Sequence, residues 1–360
     1  MICRHAAGYA LRGHIQYIYL PKGGAVPQGR TSITDVAQLA GTSTATVSNY
    51  LNGHFEKMSP ATRETIRRAI ERTGYVPGIR ARSLAGSSSG IIAVLILNSA
   101  NIWAGQVFIG IEEVAAPAGY QTVVCNSNFD QAREQAYVEK MLSLGVDGFI
   151  IQPTSNFRAI QERITRAGKP GVLYDCSTFD FDTSWIKTNL YDSTYGAMLE
   201  CADRGYEHFI LAGSQPDLRT RQEREQGFTD AVASRGLTYE TLRIDHNGPS
   251  SDELAAWFRL NLLTSKRTLV FVPHQWALER VYRALMAQPQ LIPERVGLLG
   301  MNNADWACLT TPRISTIVEP VREEGALACR MLLDLLADPA TRPRQEILSC
   351  HVNWLDTTMM

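Results

Sequence analysis

The stretch Ser32-Ile33-Thr34-Asp35-Val36-Ala37-Gln38-Leu39-Ala40-Gly41-Thr42-Ser43-Thr44-Ala45-Thr46-Val47-Ser48-Asn49-Tyr50-Leu51 decides how this chain is read. Its first four residues have the capping-box pattern: the Ser32 hydroxyl can accept from the amide three residues on, and the Asp35 carboxylate can reach back. Val36, Ala37, Leu39 and Ala40 supply a small apolar face, and Gly41 stops the helix because glycine tolerates a left-handed backbone. Ser43 caps a second helix through Ala45, Val47 and Leu51, whose polar face carries Thr44, Thr46, Ser48, Asn49 and Asn52. Short hydroxyl and amide side chains on an exposed helix suit close approach to base edges and phosphates. The spacing predicts a helix-turn-helix.

Downstream, Ser59 and Pro60 have the cap and first-position pattern of a third helix, with Ile66, Ala69 and Ile70 on one face and Gly74 at its end. From Thr31 to Gly86, the basic residues Lys57, Arg63, Arg67, Arg68, Arg72, Arg80 and Arg82 outnumber Asp35, Glu56, Glu64 and Glu71. The whole chain has 360 residues and a formal net charge of -1, so positive charge is concentrated at this end, as phosphate contact requires. Pro77 to Gly86 can form a helix too short to be stable alone in water. Ser87 to Gly90 reads as a flexible linker.

From Ile91 the pattern changes. Apolar runs of strand length at Ile91–Leu97, Thr122–Cys125, Gly148–Gln152, Gly171–Tyr174, around Ile186, and at His208–Ala212, Leu269–Val272 and Gly297–Gly300 alternate with helical stretches. Such alternation predicts an α/β fold of doubly wound parallel sheets, here as two units in succession with a cleft between two lobes. Ligands in such sheets bind beyond the carboxyl ends of the strands. No Gly-x-Gly-x-x-Gly follows a strand and no Gly-Lys-Ser/Thr loop is present, so dinucleotide and triphosphate chemistry have no motif support. Seven scattered cysteines without a Cys-x-x-Cys pair fit reduced thiols rather than a disulfide framework or zinc site, and the seven histidines lack metal-ligand spacing. No apolar run reaches the roughly 18 residues of a membrane span. Residues 1–30 lack a signal-peptide core and have no assigned role, so the expected location is the cytoplasm.

Ile33-Thr34-Asp35-Val36-Ala37, Ala40-Gly41-Thr42-Ser43 and Thr46-Val47-Ser48-Asn49-Tyr50-Leu51-Asn52-Gly53 resemble the start of the lactose-repressor (LacI/GalR) family of bacterial transcription regulators. Ser59-Pro60-Ala61-Thr62-Arg63, Gly74-Tyr75-Val76-Pro77 and Ala81-Arg82-Ser83-Leu84-Ala85-Gly86 continue the match in order, and the resemblance runs to about Leu355. It implies four segments: the extension 1–30, a helix-turn-helix domain 31–76, a hinge helix and linker 77–90, and a two-lobed core 91–360 like the periplasmic binding proteins. It also implies a homodimer on double-stranded operator DNA, with no membrane, cofactor or metal. By resemblance the second helix enters the major groove, with Thr44, Ala45 and Asn49 at base-reading positions and Ser43, Thr46, Ser48 and Asn52 beside them. An arginine is frequent at the position of Asn49, so this chain is expected to prefer a different base there. In the hinge, Leu84 matches the leucine wedged between base steps of the minor groove, with Arg80 and Ala81 close to the DNA. Gly78 stands where asparagine is common. The loop Gly53 to Met58 is longer than in the lactose repressor and is similar to the branch that regulates sugar-acid metabolism.

In the core, the resemblance implies a small-molecule effector, a sugar or sugar acid, between the lobes. Arg224 matches an arginine that often meets the effector; Asn101, Trp103, Asp192, His274 and Asn302 are further expected contacts, and Trp276 and Trp306 are pocket candidates beside them. Gly300-Met301-Asn302-Asn303 stands where Gly-Tyr/Phe-Asp-Asp is usual, and Val272-Pro273-His274 where Ala-Asn-Asp is usual. Two carboxylate positions are thus amide and imidazole, which reduces repulsion of an acidic ligand. A solute-binding protein and a sugar-processing α/β enzyme are the alternatives. The former would carry an export signal and the latter a phosphate loop or catalytic dyad, and neither is found.

Overall fold

A computed structural model describes residues 31–76, 88–154, 157–177, 182–262 and 265–359. In it Ser32 and Asp35 cap the first helix reciprocally: the Asp35 N–H donates to Ser32 Oγ at 3.3 Å, and the Ser32 N–H to Asp35 Oδ2 at 2.7 Å. Helix α1 (Ile33–Leu39) ends on Gly41, which takes φ +61°. That conformation lets the Gly41 and Thr42 amides return to the carbonyls of Gln38 and Ala37. Ser43 Oγ accepts from the Thr46 amide at 3.1 Å and opens α2 (Thr44–Leu51). After a single 3-10 turn at Phe55–Lys57, Ser59 caps α3 (Pro60–Thr73), which ends on Gly74 at φ +61°. Val36, Ala37, Val47, Ile66, Ala69 and Tyr75 form the buried core of these three helices.

The chain divides into two compact units between Gly78 and Ile79. The larger one holds two six-stranded sheets. The first lobe orders its strands β11-β5-β4-β3-β1-β2, where β1 is Ile91–Ile96, β2 Gln121–Asn126, β3 Gly148–Ile151, β4 Gly171–Tyr174, β5 Ser184–Thr188 and β11 Gln345–Leu348. The second orders them β12-β10-β9-β8-β6-β7, with β6 His208–Gly213, β7 Thr238–Arg243, β8 Thr268–Val272, β9 Val296–Met301, β10 Ser315–Val318 and β12 His351–Asn353. All neighbours are parallel except β10 and β12. Helices α4 (Ile102–Ala115), α5 (Gln131–Leu144) and α6 (Arg158–Arg166) belong to the first lobe. Helices α7 (Leu190–Asp203), α8 (Arg219–Ser234), α9 (Ser251–Asn261) and α10 (Gln275–Leu285) belong to the second. Each central strand is a buried apolar run because helices cover both sheet faces.

The lobes are not successive, as the sequence suggests, but interleaved. The chain crosses between them after β5, after β10 and after β11, and α11 (Val321–Ala337) and β11 return to the first lobe. The first and third crossings are tied by Asn189, whose N–H donates to Leu348 O at 2.9 Å and whose Oδ1 accepts from the Cys350 N–H at 2.7 Å. The strands that sequence periodicity misses, β7, β10, β11 and β12, are short or lie at sheet edges with polar residues facing out.

Where α4 and α11 cross, two glycines meet backbone. A methyl on Gly110 would overlap the Arg322 carbonyl oxygen, and one on Gly325 the Val107 carbonyl oxygen. Gly110→Ala is therefore expected to lower unfolding free energy by about 1–3 kcal/mol. Gly105→Ala on the same helix meets nothing within 4 Å and is expected to gain roughly 0.5–1 kcal/mol from helix propensity. Urea unfolding of the two variants checks the opposite signs.

Candidate functional site

Two places draw the expected residues together, one in each unit. On α2, Thr44 and Ala45 are exposed at the first turn, and Asn49 is half-buried one turn on. The other hydroxyls and amides are partly committed to the helix itself. Ser43 Oγ lies 2.9 Å from Thr46 Oγ1 besides capping, and Asn52 Nδ2 donates to Ser48 Oγ at 3.4 Å. The long loop is fixed by Phe55, whose ring meets Tyr50 edge-on at 5.7 Å and lies under the Arg63 guanidinium at 3.7 Å. The third helix differs from its sequence reading. Arg67 pairs with Glu64 and Glu71, and Arg68 with Glu64, so much of its positive charge is spent inside the helix. Hydrogen bonds from Arg67 and Arg68 hold the Glu64 carboxyl down at about 2. Residues 31–76 then hold Lys57, Arg63, Arg67, Arg68 and Arg72 against Asp35, Glu56, Glu64 and Glu71. Most of the expected excess resides in Arg80 and Arg82, which with Ala81 and Leu84 lie outside the described residues.

In the larger unit a cavity of about 250 Å³ opens between the lobes at the carboxyl ends of their strands. Asn101, Trp103, Arg224 and His274 line it. Asn101 also caps α4, accepting from the Trp103 N–H at 3.1 Å, and Trp103 stacks on Tyr174 with ring centroids 6.1 Å apart. Arg224 donates to Pro273 O at 3.0 Å and to Glu319 Oε2 at 3.2 Å. Buried His274 has Nε2 3.0 Å from Ser214 Oγ and stacks on Trp276, which His246 flanks on centroids 4.1 Å apart. Burial first, then the charges of Arg224 and Arg221, keeps His274 well below the usual imidazole range and hence neutral.

Two expected contacts do not reach this cavity. Asp192 is exposed on α7, whose buried face is Leu190, Thr194, Ala197, Met198 and Cys201. Asn302 is buried, but its Nδ2 donates to Ala304 O at 2.5 Å, so it closes its own turn. Trp306 packs against the second lobe's core, whereas Trp276 lines the cavity.

The cavity also takes residues that the sequence reading passed over: Phe129, Gln152, Asp175, Arg221, Gln275 and Glu319. Asp175 directly follows β4, where the strand-end rule could have found it. Among the described residues, the non-glycine residues with positive φ are Asn128 (52°), Phe129 (60°) and Asp175 (55°), and the last two face the cavity. Such strained backbone collects at functional sites.

At the cavity wall lies a cluster of carboxyls, with Asp175 and Glu319 in the lining and Glu324 outside it. Gln152 Nε2 donates to Asp175 Oδ2 at 2.8 Å, and the Asp175 N–H donates to Glu324 Oε1 at 2.9 Å. Glu319 Oε1 accepts from Thr188 Oγ1 at 3.2 Å, which joins the first crossing to the second. Glu319 and Glu324 are only 4% and 1% exposed. Burial, with Glu319 adding to it and Arg224 opposing, pushes the Asp175 carboxyl up to about 7. Glu324 is raised well above its ordinary range, first by burial and then by Asp175.

Three buried N–H donors of cavity-lining residues have no protein partner: Trp103 Nε1, Arg224 Nε and Gln275 Nε2. Among the described residues no group of three or more His, Cys, Asp and Glu could hold a metal ion, and no helix is long and apolar enough to cross a membrane.

Residues 32–78 match the bacterial regulatory proteins of the lacI family. Residues 89–256 match the periplasmic binding proteins and sugar binding domain of the same family, and residues 199–358 a periplasmic binding protein-like domain. The HTH-type transcriptional regulator PtxS of Pseudomonas plecoglossicida is 30% identical over 310 residues, covering 85% of this chain and 89% of its own. The chain belongs to the lacI family. It is therefore a DNA-binding transcription regulator of that family and not an enzyme. Solved structures share the fold. The lac repressor dimer bound to operator and the anti-inducer ONPF gives a TM-score of 0.76 at 22% identity, covering 92% of this chain and 100% of that one. A ribose-bound lacI-family regulator from Enterococcus faecium gives 0.65 at 22% identity, covering 74% of this chain and 98% of that one.

Asp175 and Glu324 hold protons more readily folded than unfolded, where carboxyls titrate near about 4. The stability that Asp175 contributes in this way is full below about pH 4 and is lost as pH rises toward about 7. Asp175→Asn stays neutral throughout. Its unfolding free energy relative to the unaltered chain should therefore climb across that window in urea unfolding at stepped pH, and parallel profiles would count against the cluster.

Proposed function

We propose that this lacI-family chain is a cytoplasmic, homodimeric repressor that reads a near-palindromic operator and answers to a sugar or sugar acid bound between its lobes. The observation that carries the effector is the cavity itself. Aromatic rings from Trp103, Phe129 and Trp276 line it together with the donors of Gln152, Arg221 and Arg224 and the carboxyl groups of Asp175 and Glu319. A polyhydroxylated ring offers acceptors to the donors, hydroxyl donors to the carboxylates and C–H faces to the rings. The ribose-bound regulator and the lac repressor dimer on its operator support the same reading by analogy of fold.

On the DNA side, exposed Thr44 and Ala45 and half-buried Asn49 would meet base edges, with Ser43, Thr46, Ser48 and Asn52 near the phosphates. Two copies related by a two-fold axis would place two such helices about one turn of DNA apart. Leu84, flanked by Arg80 and Ala81, would wedge the minor groove between them. An effector shifts the operator-bound population only by its differential affinity for the two lobe arrangements.

A thermal-shift panel of sugars, sugar acids and sugar phosphates, followed by a gel shift on the DNA upstream of the chain's own gene, tests the whole reading. No stabilising ligand and no salt-sensitive, sequence-selective binding would overturn it. Asn49→Arg should change the base selected at one symmetric operator position, by about 1–3 kcal/mol of discrimination in a binding-site selection. Leu84→Ala should weaken operator binding about tenfold while leaving the thermal shift by the same sugar intact.

Arg224→Ala strands the buried Glu319 carboxylate and should lower stability. Arg224→Ala with Glu319→Gln should recover the fold yet bind the stabilising sugar about tenfold or more weakly. A normal titration would remove Arg224 from the effector contacts.

A further inference from the structure

Outside the cavity, one carboxylate gathers an unusual set of donors at the opposite end of the first lobe's sheet. Asp147 immediately precedes β3, and residues 88–90 immediately precede β1, the parallel neighbour of β3. Onto the Asp147 carboxylate converge Ser88 Oγ at 2.7 Å, the Ser89 N–H and Oγ at 3.0 Å each, the Gly90 N–H at 2.7 Å and the Ile91 N–H at 3.3 Å. Asp147 is 9% exposed, and its own N–H donates back to Ile91 O at 2.8 Å. Gly90 takes φ +70°, which turns consecutive amides toward one anion. The Gly90 carbonyl in turn accepts from the Gln121 N–H at the start of β2. A carboxylate offers about four lone-pair sites, so this one is saturated by the segment that leads out of the linker.

We propose that Asp147 is the positioning residue that clamps the linker to the effector core, fixing where and in what direction the chain leaves it toward the DNA-reading helices. This rests on the regulator reading above. The reason for a clamp lies in strands β1 and β3. At their carboxyl ends Leu97 and Gln152 line the cavity, and the Leu97 N–H donates to Gln152 Oε1 at 3.1 Å. At their amino ends they carry the clamp. A few residues of strand at roughly 3.3 Å each therefore join ligand wall to linker with no flexible segment between. A shift of the wall reaches the linker only if the linker is held, and the Asp147 carboxylate is what holds it.

Two variants of the full chain separate a clamp from a fold defect. Asp147→Asn replaces one acceptor oxygen with an amide donor, which leaves linker donors unmatched. Ser88→Ala with Ser89→Ala removes both hydroxyl donors from the linker side and leaves the core's own residues unchanged. The readouts are affinity for a labelled duplex from upstream of the chain's own gene, the thermal unfolding midpoint, and tryptic cleavage after Arg80 and Arg82. Both variants are expected to lose about tenfold in duplex affinity and to be cut about tenfold faster after Arg80 or Arg82, because freeing residues 88–90 lengthens the stretch that a protease can draw into its cleft. The serine variant should keep its midpoint within about 2 °C. Unchanged affinity and cleavage in the serine variant overturn the clamp even if Asp147→Asn is impaired. If the unaltered chain ignores the duplex, the regulator reading fails instead, and the cleavage rates still decide whether the clamp exists.

Discussion

Arg224 and Glu319 form an ion pair in which neither partner has much access to water. Arg224 comes from the second lobe, while Glu319 sits on the stretch where the chain passes from that lobe back to the first. The other oxygen of Glu319 accepts from Thr188, at the end of the strand where the chain first leaves the first lobe. Two separate passages are thus tied to one guanidinium that also faces the cavity. Removing either charge leaves the other buried and uncompensated, which costs far more than the pair itself contributes. The proposed effector, in meeting Arg224, would share it with the junction, so that ligand and lobe geometry would be read by the same group.

The adjoining carboxyls sharpen this constraint. Asp175 and Glu324 are joined through a backbone amide, and with Glu319 they stand beside a single arginine that cannot neutralise all of them. Protons supply the remaining balance, which is why burial raises Asp175 toward neutrality rather than leaving a dense cluster of charge. The same principle works in reverse on the third helix of the smaller unit. There Glu64 and Glu71 pair in the open with Arg67 and Arg68, so that part of the positive charge that the sequence displays is already engaged within the helix.

Much of this was legible in the residues. Ser32, Gly41, Ser43 and Gly74 act through local caps and turns, so no tertiary information is needed to place the three helices. Most central strands are apolar runs because both faces are covered. The edge strands β7, β11 and β12 are half-polar, and β10 opens on two hydroxyl residues, Ser315 and Thr316, so their identity depends on partners far away in sequence. Missing β10 hid Glu319, which directly follows it, and with it the interleaving of the lobes. Asp192 is a different case. Its helix buries Leu190, Thr194, Ala197, Met198 and Cys201, and that spacing already puts Asp192 on the outer side.

Unpaired donors on residues that line the cavity carry a consequence for the selectivity of the proposed effector site. Trp103 Nε1, Arg224 Nε and Gln275 Nε2 are all donors, each already removed from solvent before any ligand arrives. Discrimination in such a chamber works mainly by penalty. A compound that lacks one oxygen leaves a buried N–H with nothing to bond, whereas an extra methyl or methylene costs comparatively little. If ligand binding uncovers these donors, the proposed site is expected to be strict about missing oxygens and lenient about added carbon, so that dehydroxylated analogues fail where alkylated ones of similar size still enter.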